Sequence, residues 1–192
     1  MKTLGAMERV QRDAFVPEAV RDQAWDDMAL PIGLGQTISQ PLVVAMMTQA
    51  LRLSDRDQVL EIGTGCGYQT AVLARLARRI YTIERHRPLA EASAARLEAM
   101  RVRNVTALCG DGMKGWPLPQ VGPFSKIIVT AAARERPPPA LMDQLADNGL
   151  MIIPIGSEDG QELRLYRKET ADAYSYKTVM PVRFVPLLPD IA

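Results

Sequence analysis

At 192 residues the chain suits one domain with a sizeable core, and 47% hydrophobic against 23% charged residues is an ordinary globular balance. Twenty-three Lys and Arg against 22 Asp and Glu leave a formal charge of +1, which gives no global pull toward nucleic acid, an anionic membrane or a strongly acidic partner. The two cysteines, Cys66 and Cys109, are too few for a disulfide framework and fit a reduced cytoplasmic setting; neither a signal peptide nor an apolar run of about 18 residues is expected.

Residues 6–13 are expected to form a short helix broken before Pro17. Residues 28–40, rich in glycine, read as an ordered loop, and Pro41 suits the first turn of a helix running to about Leu51. Strand and helix candidates then alternate: Gln58–Ile62 (strand), Gln69–Arg78 (helix, with Val72, Leu73 and Leu76 on one face), Ile80–Glu84 (strand), and Leu89–Met100 (helix, with Leu89, Ser93, Leu97 and Met100 aligned). Strands Val105–Leu108 and Lys126–Thr130, a helix over 140–146 and strand Leu150–Ile155 follow. This order predicts an α/β fold, a mostly parallel sheet with helices on both faces. Leu163–Lys168 and Tyr174–Phe184, joined by a polar turn near Glu169–Ala173, would close it as a C-terminal antiparallel hairpin. No linker divides the chain. Residues 1–192 are expected to form one domain: a substrate or lid region over 1–50, a cofactor-binding core over 51–160, and a hairpin and substrate-contacting tail over 161–192.

The segment Val59–Tyr68, VLEIGTGCGY, carries the most chemistry. A strand runs into a turn where Gly63, Gly65 and Gly67, with Thr64 between the first two, let the backbone bend and approach a ligand. A dinucleotide fingerprint would need glycine at position 68, where Tyr68 stands. Pyrophosphate favours a site without anions, yet Glu61 precedes this turn. Carboxylates suit the cationic S-adenosylmethionine instead. Glu84, at the end of the next strand, is placed to accept hydrogen bonds from two ribose hydroxyls. Asp111 of Gly110-Asp111-Gly112 follows the third strand and is assigned to the adenine amino group.

Leu30–Pro41, LPIGLGQTISQP, closely resembles a block in protein-L-isoaspartate O-methyltransferases, bacterial ones above all. Phe15–Pro17, Tyr68–Ala71, Gly110–Gly112, Gly115–Pro117, Ile127–Ala132 and Arg183–Leu187 resemble that family as well, so the likeness runs from about residue 7 to 188. It implies a Rossmann-like class I methyltransferase fold and a monomeric enzyme acting on isoaspartyl, and some D-aspartyl, residues of damaged proteins and peptides. It further implies that Ser39 is the active-site serine and that Ile38 and Ser39 border the cofactor. Thr130 and Ala131 would lie near methyl transfer, and Val185 and Leu187 would hold the substrate backbone. The chain departs from the family in four places: a shorter start, Cys66 where serine is common, Ser125 in place of a usual aspartate, and the spacing and proline content of residues 134–139.

The implied chemistry needs no general base, because a carboxylate with a pKa near 4 is already ionised at neutral pH. It needs no metal either, and the single histidine, His86, has no ligand partners at metal spacing. Ser39 would orient the carboxylate, with Thr37 sharing the work, and no bidentate arginine clamp is expected, since it would dull the nucleophile. On spacing alone Ser39 reads equally well as a helix cap beside Pro41. Other readings stay open: a class I methyltransferase acting on a small molecule or RNA, or an inactive cofactor-binding relative.

Overall fold

The computed structural model describes residues 2–170 and 173–192. The first fifty residues make a layer of short elements: helix α1 (Lys2–Glu8), 3-10 turns at Arg12–Phe15 and Glu18–Gln23, strands β1 (Leu30–Gly33) and β2 (Gln36–Ile38), and helix α2 (Pro41–Ala50). The helix expected over 6–13 therefore starts earlier and stops at Glu8. The chain beyond it folds into tight turns because Arg12 and Phe15 both point inward and are buried. The expected loop at 28–40 is a two-stranded antiparallel hairpin, with Leu30 opposite Ile38. Gly33, Leu34 and Gly35 all take positive φ at its tip.

Beyond it the expected alternation holds: β3 (Gln58–Ile62), α3 (Tyr68–Ala74), β4 (Arg79–Glu84), α4 (Arg87–Ala99), β5 (Val105–Cys109), β6 (Phe124–Val129), α5 (Pro139–Asp143), β7 (Leu145–Ser157), β8 (Gly160–Thr170) and β9 (Ala173–Val182). The seven strands β3–β9 stand in the order β5-β4-β3-β6-β7-β8-β9. The pairs from β5 to β7 are parallel, and β8 and β9 add antiparallel. The expected turn near Glu169–Ala173 includes residues 171 and 172, which lie outside the described residues. The helix expected over 140–146 is shorter, Pro139–Asp143, because Leu145 already pairs with Phe124 and the chain has become β7.

Apolar side chains fill both faces of the sheet. On one, Val43 and Met47 of α2, Leu51 just past its end and Leu73 of α3 meet Val59, Ile80, Ile128 and Ile152. On the other, Leu60, Ile127 and Met151 meet Trp116, Phe124 and Leu141. Along α4 Leu89, Ser93 and Leu97 are buried as the spacing predicts, whereas Met100, past the helix end, is exposed. Ser125 donates a hydrogen bond to Asp57 Oδ1 (2.7 Å), tying the start of β6 to the turn before β3. The parallel strands β3, β4, β5 and β6 all end on one edge, and ligands of open α/β sheets bind beyond that edge.

Candidate active site

β3 is buried along nearly its whole length and delivers the chain into the glycine turn. Gly63 has φ +93°, and a Cβ there would stand 2.3 Å from Thr130 Oγ1, so no other residue fits without displacing β6. Thr130 is stitched to this turn: its hydroxyl donates to the Gly63 carbonyl (2.7 Å) and its amide to the Ile62 carbonyl (2.9 Å). Glu84, buried at the end of β4, accepts from the Gly65 amide through Oε2 (2.8 Å) and from the His86 amide through Oε1 (2.9 Å). Each carboxylate oxygen keeps a second lone pair, enough for one further donor apiece.

These groups floor an open cleft at the sheet edge. Gly63, Thr64, Gly65, Glu84, Gly112 and Thr130, all assigned to the cofactor on sequence, line it from the sheet edge. Thr37, Ile38 and Ser39 form another wall, supplied by β2 and the segment before α2. Ala131, Val185 and Leu187 form the third wall. The tail is held there by a parallel bridge in which the Ala132 amide donates to the Val185 carbonyl and the Leu187 amide donates to the Ala132 carbonyl, both at 2.8 Å. The Val185 carbonyl and Leu187 amide are thus engaged within the fold.

Ser39 does not cap α2. The residue at the cap position is Gln40, with no side-chain bond, and the Leu42 amide is taken by Asp27 Oδ1 at 2.9 Å. The Ser39 carbonyl accepts from Arg12 Nη2 at 2.7 Å. Its hydroxyl has no hydrogen-bond partner among the described residues, and the residue lines the cleft.

Three expected cofactor residues do not line this cleft. Glu61 lies beneath the turn, because its neighbour Ile62 takes the cleft side and strand alternation turns Glu61 toward α3. There Oε2 accepts the Thr70 hydroxyl, and the Thr64 and Thr82 hydroxyls share a 2.6 Å bond alongside. Gly67, with φ +91°, is the first-turn cap of α3, and a Cβ there would meet Ser93 of α4 at 3.3 Å; its smallness serves helix packing. Asp111 occupies an adjoining pocket that shares Ile83 with the cleft. It accepts from the Met113 amide and pairs with Lys114 (3.2 Å). Partial burial works against its charged form, but the Asp190 and Met113 amides and Lys114 outweigh it and hold the carboxyl below its usual range.

The cleft also takes residues that the spacing did not mark: Gln36, Tyr68, Gln69, Arg85, His86 and Leu188 among them. Tyr68 and Gln69 directly follow the glycine turn, and His86 follows Glu84, so sequence adjacency was the available signal. Cys66 lines it too; burial pushes its thiol up to about 11, so it stays a neutral small filler. Among the described residues no cluster of three or more His, Cys, Asp or Glu side chains is placed to hold a metal.

Burial, aided by the charge of Glu84 and opposed by the Thr70 and Thr82 hydroxyls, pushes Glu61 up to about 7 from 4.5, and its Oε1 has no partner. A carboxyl whose folded pKa is raised gives the fold its full contribution below about 4.5 and loses it as pH rises through about 7. The loss amounts to about 3 kcal/mol. Glu61→Gln cannot ionise, so thermal melts should show it gaining on the parent by about 6–12 °C between pH 4.5 and 8.5. Parallel melting curves across that range would remove the charge from this account.

Comparison with known proteins adds the following. The model of the family described as protein-L-isoaspartate(D-aspartate) O-methyltransferase matches residues 1–191. A protein-L-isoaspartate O-methyltransferase from Rhodospirillum centenum is 54% identical over 98% of this chain and 85% of its own. One from Rhodospirillum rubrum is 56% identical over 96% of this chain and 84% of its own. A solved protein-L-isoaspartate O-methyltransferase shares 26% identity at a TM-score of 0.89, covering 99% of this chain and 62% of that one. A Plasmodium falciparum structure in complex with S-adenosyl-L-homocysteine, described as of the same type, shares the fold at a TM-score of 0.83 and 24% identity, covering 97% of this chain and 90% of that one.

Proposed function

Because the chain belongs to the protein-L-isoaspartate(D-aspartate) O-methyltransferase family, we propose a residue-level account of how its cleft performs that family's reaction. The enzyme is a repair methyltransferase that esterifies the free carboxylate of L-isoaspartyl residues with a methyl group from S-adenosylmethionine; we extend the substrate to D-aspartyl residues. S-adenosylmethionine supplies an activated methyl group on a cationic sulfonium.

The residues present fit that cofactor. The carboxylate of Glu84 has acceptor capacity left for two ribose hydroxyls. Gly63 and Gly65 expose backbone where side chains would intrude. Ile38, Thr64, Gly112 and Thr130 complete the enclosure, and Asp111 in the adjoining pocket remains our candidate for the adenine edge. Glu61 acts from below, holding α3 and the turn through Thr70.

The single observation that carries the chemical reading is the unused hydroxyl of Ser39, a residue that lines the same cleft as Glu84 and Thr130. It donates to the substrate carboxylate and fixes its direction without taking a proton. Thr37 stands beside it on the same wall, and Ala131, Val185 and Leu187 bound the substrate's side. No residue needs to act as a base, since the nucleophile arrives ionised. Holding the reactants in one orientation can lower the barrier by up to about 7–11 kcal/mol.

The proposal includes a monomer working in the cytoplasm: all three walls come from one chain, and Cys66 and Cys109 are free thiols. No helix among the described residues is long and apolar enough to cross a membrane. Mass spectrometry of matched isoaspartyl and aspartyl peptides and an RNA oligomer, each incubated with enzyme and S-adenosylmethionine, tests the reading. One methyl on the isoaspartyl peptide alone is expected; methylation of the RNA or of the aspartyl peptide instead would replace it.

A further inference from the structure

Arg12 is a buried charge that the site described above does not use. It is fully buried, and none of the ion pairs among the described residues includes it. A buried cation without a counter-charge opposes folding unless its donors are used, and burial lowers its pKa. A hydrophobic side chain of similar volume would fill the same space without that cost.

Two of its three nitrogens bond main-chain carbonyls that flank the β1–β2 hairpin, while Nη1 is buried without a partner. Nε donates to the Ala24 carbonyl at 2.6 Å, before the hairpin, and Nη2 to the Ser39 carbonyl at 2.7 Å, after it. The guanidinium face lies 4.8 Å from the ring centroid of Tyr68, the residue leaving the glycine turn. One planar cation therefore joins both ends of the hairpin to the cofactor turn. Phe15 packs edge-on against the same ring at 5.5 Å.

We propose that Arg12 is a positioning residue for methyl transfer: by clamping the Ser39 carbonyl and stacking on Tyr68, it sets the distance and direction of the Ser39 hydroxyl relative to the cofactor turn. This rests on the reading that Ser39 orients the substrate carboxylate. It also reconciles a buried arginine near the site with the need for a reactive nucleophile. The guanidinium's two bonds go to the backbone, so the carboxylate is oriented by a neutral hydroxyl and keeps its nucleophilicity. A lysine has the charge but not the planar fork, and cannot hold two carbonyls and stack on a ring together.

The test is a double-mutant cycle of Arg12→Met and Arg12→Lys with Ser39→Ala, reading kcat on an isoaspartyl peptide, KM, the Kd for S-adenosylmethionine, and thermal melting. Arg12→Met should lower kcat about 100-fold, the size expected of a misplacement of about 1 Å. The cofactor Kd should stay within about threefold, and Arg12→Lys should recover about a tenth of the parent rate. On the Ser39→Ala background, where no hydroxyl remains to be aimed, either Arg12 variant should cost less than about threefold more. Costs that multiply on both backgrounds, or an unchanged kcat, would overturn the assignment and leave Arg12 as packing alone. Should Arg12→Met not fold, Arg12→Lys completes the same cycle. The two layers separate cleanly: a parent enzyme inactive on the isoaspartyl peptide removes the underlying reading, whereas an active parent with an additive cycle removes only the role of Arg12.

Discussion

Ser39→Ala should lower kcat on an isoaspartyl peptide by about 30- to 100-fold, the worth of one hydrogen bond to a charged group. The Kd for S-adenosylmethionine should stay within about threefold. The expectation follows from what the hydroxyl does not do. α2 is capped by Asp27 and the hydroxyl has no partner within the fold, so its removal costs little stability and falls on the reacting carboxylate. A kcat matching the parent would make the residue part of the wall and nothing more. Stability should change by less than about 0.5 kcal/mol, because the site is half-buried and no internal bond is lost.

The complementary variant is Glu84→Gln, whose loss should appear in binding. Glu84 holds the Gly65 and His86 amides at 2.8 and 2.9 Å and is the proposed ribose acceptor. Glutamine keeps the shape but replaces one acceptor oxygen with a donor, which then faces an amide donor. Losing one charge-assisted bond costs about 1.5–3 kcal/mol, so the Kd for S-adenosylmethionine should rise by about 100-fold. At saturating cofactor, kcat should return to near the parent value. Calorimetry and initial rates together read both quantities. A Kd within threefold of the parent would leave Glu84 as a purely internal brace of the turn. The pair of variants thus splits the site: one loses turnover at constant affinity, the other affinity at recoverable turnover.

The parallel sheet was legible because glycines, prolines and short apolar runs punctuate residues 58–155 so regularly. Residues 58–62 form the strand over the bounds their apolar run marks. Glu84 was legible for a related reason, since it ends its strand and must sit at the crevice edge. Glu61 was not: it stands one residue before its strand's end, and alternation sends it under α3 instead of into the cleft. Spacing says that an acid lies near the turn, but only register against α3 says which way it points. The segment at 28–40 looked like a loop because Pro31 and two glycines hide a hairpin whose turn depends on consecutive positive φ angles. Arg12 carried no signal at all. A lone arginine among polar neighbours reads as solvated, and its burial arises only when Ala24, Ser39 and Tyr68, far apart in sequence, close around it.

Titration of the protein with S-adenosylmethionine, followed by calorimetry and by thermal melting, bears most directly on the central claim that the edge of β3, β4 and β6 is a methyl-donor site. Saturable one-to-one binding is expected, with melting raised by about 5–10 °C at about 100 times Kd. No heat and no shift at millimolar ligand would contradict the site, and with it every role assigned to the residues around it.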